Sequence, residues 1–164
     1  MLVSSSVKAR ALELGFDLCG IASAADHPEL EFLREWLGRG YDGEMRYMAR
    51  TARQRADVRA FVPAARSVIV SGTVYNVDRT YSIEVNDPCE ALVSRCAWGD
   101  DYHDVIGRRI DMLLEWMRAA SDEPFVARTS VDTSPVQERV YAKYAGLGWP
   151  GKNTCLINAD LGSW

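Results

Sequence analysis

The sequence predicts an α/β fold, α/β or α+β in layout, because helical and strand-like stretches alternate along it. Residues 68–74 form a β-branched run of the kind found inside a sheet. Val105, Ile106, Ile110, Leu113, Leu114 and Met117 recur at helical spacing and form an apolar stripe. Glycine, proline and capping residues punctuate these stretches where elements should start and stop.

Taken in order, residues 6–14 predict a short helix with Val7, Ala11 and Leu14 on one face, ended by Gly15. Residues 18–22 predict a buried strand. Asp26 followed by Glu29 makes a capping-box pattern with Pro28 in the first turn. It opens a helix striped by Leu30, Leu33, Trp36 and Leu37 and stopped by Gly38 and Gly40. After the strand at 68–74, residues 76–88 read as a long loop with a short strand near 81–85. Asp101 caps the strongly striped helix. Residues 125–131 read as a strand. Ser134, Pro135 and Gln137 then supply a hydroxyl at N-cap, proline at N1 and an amide at N3 for a helix running to about Ala145. Residues 154–158 predict a last strand. There is no internal repeat and no low-complexity segment.

The 164 residues suit one compact domain, expected to span 1–164. A composition 48% hydrophobic and 26% charged reads as globular. No apolar run is long enough to span a bilayer, and the N-terminus has no basic start leading into an apolar stretch. A cytoplasmic protein without a membrane partner is the expectation. The cysteines Cys19, Cys89, Cys96 and Cys155 are far apart and make no C-x-x-C, which argues against a zinc or iron–sulfur site held by these residues. They are expected to be reduced and mostly buried. With a net charge of -4, any contact with nucleic acid must come from a local patch.

Four segments carry chemistry. Gly146, Gly148 and Gly151 fit G-x-G-x-x-G, but a dinucleotide fingerprint follows a strand and opens a helix, and here the order is reversed. The same residues miss a P-loop because Asn153 stands where magnesium needs Ser or Thr. A helix C-cap explains Gly146. The rest reads as a loop whose backbone can approach a large flat ligand, with Lys152 and Asn153 as polar contacts.

Asp132 stands at a strand-to-helix junction, where α/β proteins present ligand-binding groups. Capping the next helix would suffice to explain it. To donate a proton it needs surroundings that keep it protonated. Tyr102 and His103 fall in the first turn of a helix and can face a pocket. Neither His27 nor His103 has a partner at metal-ligand spacing, so no metal site is expected, and a lone histidine is ordinarily structural or exposed. Arg46, Arg50, Arg53, Arg55 and Arg59, with Asp57 as the single acid among them, read either as a solvated face or as a contact for a phosphate or amide-rich ligand.

These segments, in this order, resemble the N-terminal half of epoxyqueuosine reductases. The resemblance rests on Gly43-Glu44-Met45, Tyr47-Met48, Ala65-Arg66-Ser67-Val68, Gly99-Asp100-Asp101-Tyr102-His103, Val131-Asp132-Thr133, Ala145-Gly146-Leu147-Gly148-Trp149, Gly151-Lys152-Asn153-Thr154, Leu156-Ile157-Asn158 and Gly162-Ser163-Trp164. It implies a nitroreductase-like, cobalamin-binding domain with a mixed central sheet flanked by helices. It further implies a following ferredoxin-like domain with two [4Fe-4S] clusters, whose ligands are not in this sequence. Reductive dehalogenases are more distant relatives.

The implied activity is reduction of the epoxide of epoxyqueuosine in the tRNA anticodon loop, with electrons from an external donor. The resemblance assigns the proton donor to Asp132, a substrate or cofactor contact to Arg139, and the epoxide side of the pocket to Tyr102 and His103. Arg55, Cys96, Ser134, Gly148, Gly151, Lys152, Asn153, Thr154 and Leu156 are the expected corrin contacts. Pro150 replaces a common aliphatic residue and Cys96 a common tyrosine. The end at Ser163-Trp164 reads as a truncation before the cluster cysteines. A non-catalytic corrinoid-binding module and a flavin-dependent nitroreductase-like enzyme are the alternatives.

Overall fold

A computed structural model describes residues 2–163, so Trp164, the last residue of the Gly162-Ser163-Trp164 motif, lies outside the described residues. The helices are α1 (Ser4–Glu13), α2 (Pro28–Gly38), α3 (Arg46–Arg50), α4 (Ala52–Ala56), α5 (Tyr102–Ala120) and α6 (Glu138–Tyr144). The strands are β1 (Leu18–Ser23), β2 (Ser67–Gly72), β3 (Trp149–Pro150) and β4 (Leu156–Ile157). The α/β class holds. Its sheets are two antiparallel pairs, β1 with β2 and β3 with β4. In the first, Leu18 stands opposite Gly72 and Ser23 opposite Ser67.

One core lies where α2 and α6 cover the β1–β2 pair. It gathers Ala22, Ala24, Leu30, Val58, Val136, Val140 and Tyr141, with Val68, Val70 and Phe61 packed against it. Leu30 and Tyr141 are its largest fully buried side chains. Burying a side chain such as Leu30 contributes roughly 1.5–3 kcal/mol. A second core joins α1 to α5 through Ala11, Phe16 and Leu113, with Ile106, Ile110 and Met117 alongside. All of these except Phe16 are stripe positions of the predicted helices. Gly20 lets α6 sit directly on β1: a Cβ there would stand 2.4 Å from the Ala145 carbonyl oxygen.

His27 is structural. It precedes Pro28, stacks on Tyr144 at 3.7 Å between ring centres, and lies edge-on to Tyr141 at 5.5 Å. Its Nε2 lies 3.2 Å from the Ser23 carbonyl oxygen. Glu29 bonds to Lys143 and accepts from the Tyr144 hydroxyl at 2.9 Å, tying α2 to α6.

Several expectations are corrected. Asp26 does not cap α2, because its carboxylate is drawn to Arg59 and His27 takes the N-cap position. The α6 helix begins later than predicted. The Val136 amide donates to the Ser134 carbonyl in a tight turn, which leaves Pro135 outside the helix. The predicted strand at 125–131 is irregular backbone, and the short strand expected near 81–85 is instead a 3-10 turn at Ser82–Glu84. The last strand shrinks to β4. Cys89, Cys96 and Cys155 are exposed because they sit on irregular segments or a 3-10 turn, and Cys19 is half-buried. Among the described residues no helix is long and apolar enough to cross a membrane.

The segment between β2 and α5 is gathered by Arg95. Its guanidinium bonds to the Asn76 side chain and donates to the carbonyls of Val77 at 2.8 Å and Arg79 at 2.6 Å. It also lies 4.4 Å from the centre of the Tyr81 ring.

Candidate active site

The N-terminus of α5 presents the first cluster. Asp101 caps the helix: its Oδ1 accepts from the His103 backbone N–H at 2.9 Å. Capping by a carboxylate also suits the positive end of the helix dipole. The backbone N–H of His103 first, and then its imidazole, hold Asp101 below the ordinary carboxylate range. Tyr102 and His103 follow at once, their rings stacked 4.1 Å apart.

Asp132 arrives from the loop before α6, at φ 54. This left-handed backbone is costly for most side chains and most tolerable for Asn and Asp. Its Oδ2 accepts from the Tyr102 hydroxyl at 2.9 Å and lies 3.8 Å from His103 Nε2. The bond to Asp132 is the leading cause that pushes the Tyr102 phenol up. The Asp132 side chain keeps 67% of its exposure, so it is not enclosed in an apolar pocket. Nor does it cap α6, whose N-cap is Gln137.

A second cluster joins α6 to the loop before β4. Arg139 donates to the carbonyl oxygen of Thr154 at 2.8 Å and to its hydroxyl at 3.2 Å. Thr154 itself sits at φ 67. Asn153 Oδ1 accepts from the Cys155 amide at 3.2 Å. The glycines of this region have an internal reason. A Cβ on Gly148 would stand 2.1 Å from the Ile157 carbonyl oxygen, and one on Gly151 would stand 2.6 Å from Asn153 Oδ1. Lys152 is exposed on the same loop, and Leu156 is half-buried in β4.

Arg55 sits on α4. Its Nε donates to Thr51 Oγ1 at 3.0 Å, and its backbone carbonyl accepts from Gln137 Nε2 at 3.0 Å. That second bond fastens α4 to the start of α6. Ser134 is half-buried in the turn before α6, and Cys96 lies on the 3-10 turn Arg95–Ala97 with its sulfur 3.1 Å from Ser94 Oγ. The structure thus brings Asp132, Tyr102 and His103 together, and Arg139 with Thr154. No direct bond links Cys96 to either cluster among the described contacts.

Sequence reasoning missed two residues. Asp101 was visible only as a cap, although its spacing two residues before a histidine allows both roles. Glu138, the first residue of α6, has its carboxyl pushed up, chiefly by burial. Asp132 adds to the rise, and Arg55 and Arg139 oppose it. Much of the residue is exposed, so the crowding is local to the carboxyl.

Two shallow hollows, of about 390 Å³ near Arg118 and Phe125 and about 330 Å³ near Tyr75 and Trp98, are not lined by Asp132, Tyr102 or His103. The cluster is partly exposed, the His103 side chain to 36% and that of Asp132 to 67%. Among the described residues no three His, Cys, Asp or Glu side chains gather as metal ligands.

The family described as epoxyqueuosine reductase QueG, DUF1730, matches residues 55–133, which include the Asp101–His103 and Asp132 segments. Over 163 residues the chain is 43% identical to the epoxyqueuosine reductase of Gloeobacter violaceus, an alignment covering 98% of this chain and 49% of that protein. Over nearly its whole length the chain is similar to the epoxyqueuosine reductases. It spans about half the length of the curated relatives it matches. An epoxyqueuosine reductase solved with an epoxyqueuosine-modified tRNA-Tyr stem loop has the same fold, with TM-score 0.79 and 23% identity over 98% of this chain and 42% of that one. So does a Bacillus subtilis epoxyqueuosine reductase whose aspartate catalytic loop is swung out of the active site, with TM-score 0.76 and 21% identity over 98% of this chain and 42% of that one.

Proposed function

We propose that the chain is the corrinoid-binding, substrate-facing part of an epoxyqueuosine reductase. It reduces the epoxide of epoxyqueuosine in the tRNA anticodon loop to queuosine, with Asp132 as proton donor. The observation that carries the reading is the convergence of Asp132, Tyr102 and His103 from two separate segments onto one carboxylate oxygen. Epoxide opening leaves negative charge on oxygen, and a positioned acid lowers that barrier by roughly 10²–10⁴-fold. The exposed Asp132 side chain suits a loop that closes over substrate, and the Bacillus subtilis relative with its aspartate loop swung out supports such motion.

Cobalamin is the proposed cofactor. Ser130 Oγ and His103 Nε2 are shielded from solvent without hydrogen-bond partners, as suits a face built to receive ligand groups. Arg55, Cys96, Ser134, Gly148, Gly151, Lys152, Asn153, Thr154 and Leu156 would hold the corrin. When bound, the reduced cobalt supplies the electrons. Tyr102 keeps the Asp132 carboxyl aimed, and Arg139 holds the 151–155 loop in place. Electrons come from an external donor, through the two [4Fe-4S] clusters of a full-length enzyme, and the reaction takes place in the cytoplasm on tRNA.

The test is a titration of the purified chain with cobalamin, ATP, NAD and flavin, followed by optical spectra and calorimetry. Saturable corrinoid binding alone is expected. Chemically reduced cobalamin and an epoxyqueuosine-bearing stem loop should then give queuosine in a single turnover. Nucleotide or flavin binding without corrinoid binding overturns the reading. Corrinoid binding without product reduces it to a binding module.

A further inference from the structure

We propose that Asp101 is a positioning residue: it fixes the His103 ring so that Nε2 faces Asp132, and His103 thereby returns a proton to Asp132. The proposal rests on the reading of Asp132 as the acid.

One oxygen of Asp101 serves two groups. Its Oδ1 accepts the His103 backbone N–H at 2.9 Å and lies 2.8 Å from His103 Nδ1. An ionised carboxylate has no proton to give, so the Nδ1 atom carries the hydrogen and donates it. Asp101 is held below the usual carboxylate range, so it is ionised at neutral pH. The tautomer of neutral His103 follows: Nε2 is left with its lone pair. That atom is shielded, has no hydrogen-bond partner, and stands 3.8 Å from Asp132 Oδ2. The gap exceeds a hydrogen bond by under about 1 Å, which a small movement of the Asp132 loop closes. Stacking on Tyr102 fixes the ring plane, and Tyr102 holds the same Asp132 oxygen at 2.9 Å.

Asp132 gives its proton to the epoxide oxygen and becomes a carboxylate. Neutral His103 takes up a solvent hydronium proton on its free Nε2, and the resulting imidazolium then breaks its Nε2–H bond and forms an O–H bond on Asp132. His103 is left neutral, with Nδ1–H still on Asp101.

Helix capping alone would explain Asp101, so the test must separate the two roles. Asn caps a helix about as well as Asp. Long-range ¹⁵N–¹H spectra of the imidazole report which nitrogen carries the proton. In the parent chain the neutral His103 ring should be protonated at Nδ1. Asp101→Asn should melt at nearly the same temperature and shift the ring toward the Nε2–H form. In single turnover with chemically reduced cobalamin, Asp101→Asn should be about tenfold slower, and Asp101→Glu should recover part of the rate. An Nε2–H ring in the parent, or an unchanged ring in Asp101→Asn, overturns the proposal. An Asp101→Asn chain that keeps full rate overturns it as well. A parent chain that makes no product while its ring is protonated at Nδ1 counts against the reductase reading instead, and the two failures are distinguishable.

Discussion

Arg139 holds Thr154 twice, through its carbonyl oxygen at 2.8 Å and its hydroxyl at 3.2 Å, and so ties α6 to the loop that leads into β4. The held residue has a left-handed backbone, at φ 67. The charge-assisted bonds therefore offset a local conformational cost.

Arg139→Ala should release this loop with little effect on the fold. Amide exchange at residues 151–157 should speed up about tenfold, while stability falls by about 1 kcal/mol or less. Exchange followed by mass spectrometry reads both. Unchanged exchange there would show that Arg139 does not hold the loop.

Asp132→Asn should leave the melt unchanged and cut single-turnover product formation by about two orders of magnitude or more. Asn tolerates the left-handed backbone as Asp does and loses only the transferable proton. Because Gln137 is the N-cap of α6, Asp132→Ala should show no loss of a helix cap. Asp132→Gly should gain up to about 1 kcal/mol in a denaturant titration, from relief at φ 54. A gain in stability with a loss of rate would mark a residue kept for function.

Glu29 predicts an acid limb. Its carboxyl is lowered from 4.5 to about 2, first by the bond from Lys143, then by its own backbone N–H and by Tyr144. A depressed carboxyl stabilises the fold above its unfolded value, and the contribution is lost as pH falls through the folded value. Between pH 4.5 and about 2 the melt should drop, and Glu29→Gln should flatten that drop. The pair is partly exposed, so the size should stay under about 1 kcal/mol. Identical acid limbs in the two proteins would remove Glu29 as the cause.

Gly20→Ala should destabilise by about 1–3 kcal/mol, because the added carbon meets the Ala145 carbonyl at 2.4 Å and the Leu147 side chain at 2.9 Å. A urea titration measures it. A neutral result would mean that α6 can lift off β1 without cost.

The helices were legible where burial is one-sided. The Val105-to-Met117 stripe became α5, with the second core against it, and Asp101 caps it as predicted. β2 was legible as a β-branched run and β1 as a short buried one. Residues 125–131 have strand-like chemistry, yet a strand needs a ladder partner, and among the described residues no strand pairs with them. The start of α6 was misread because Ser134 and Pro135 satisfy cap chemistry locally, while Gln137 reaches across to the Arg55 carbonyl. In the site, Tyr102 and His103 were readable as first-turn residues of a helix. Their meeting with Asp132 joins residues 30 positions apart, and no local pattern encodes that contact. Asp101 hid behind its capping role.

The Arg95 clasp has an evolutionary consequence. One guanidinium gathers Asn76, Val77 and Arg79 from the start of the β2–α5 segment. The stretch between those carbonyls and Arg95 is thereby closed at both ends, like a cassette between two fixed splice points. Loop-closure entropy grows only slowly with length, about 0.6 kcal/mol for each doubling. Insertions, deletions and sequence drift inside the cassette are cheap while the arginine stays, and the same changes at Arg95 itself release the whole stretch at once.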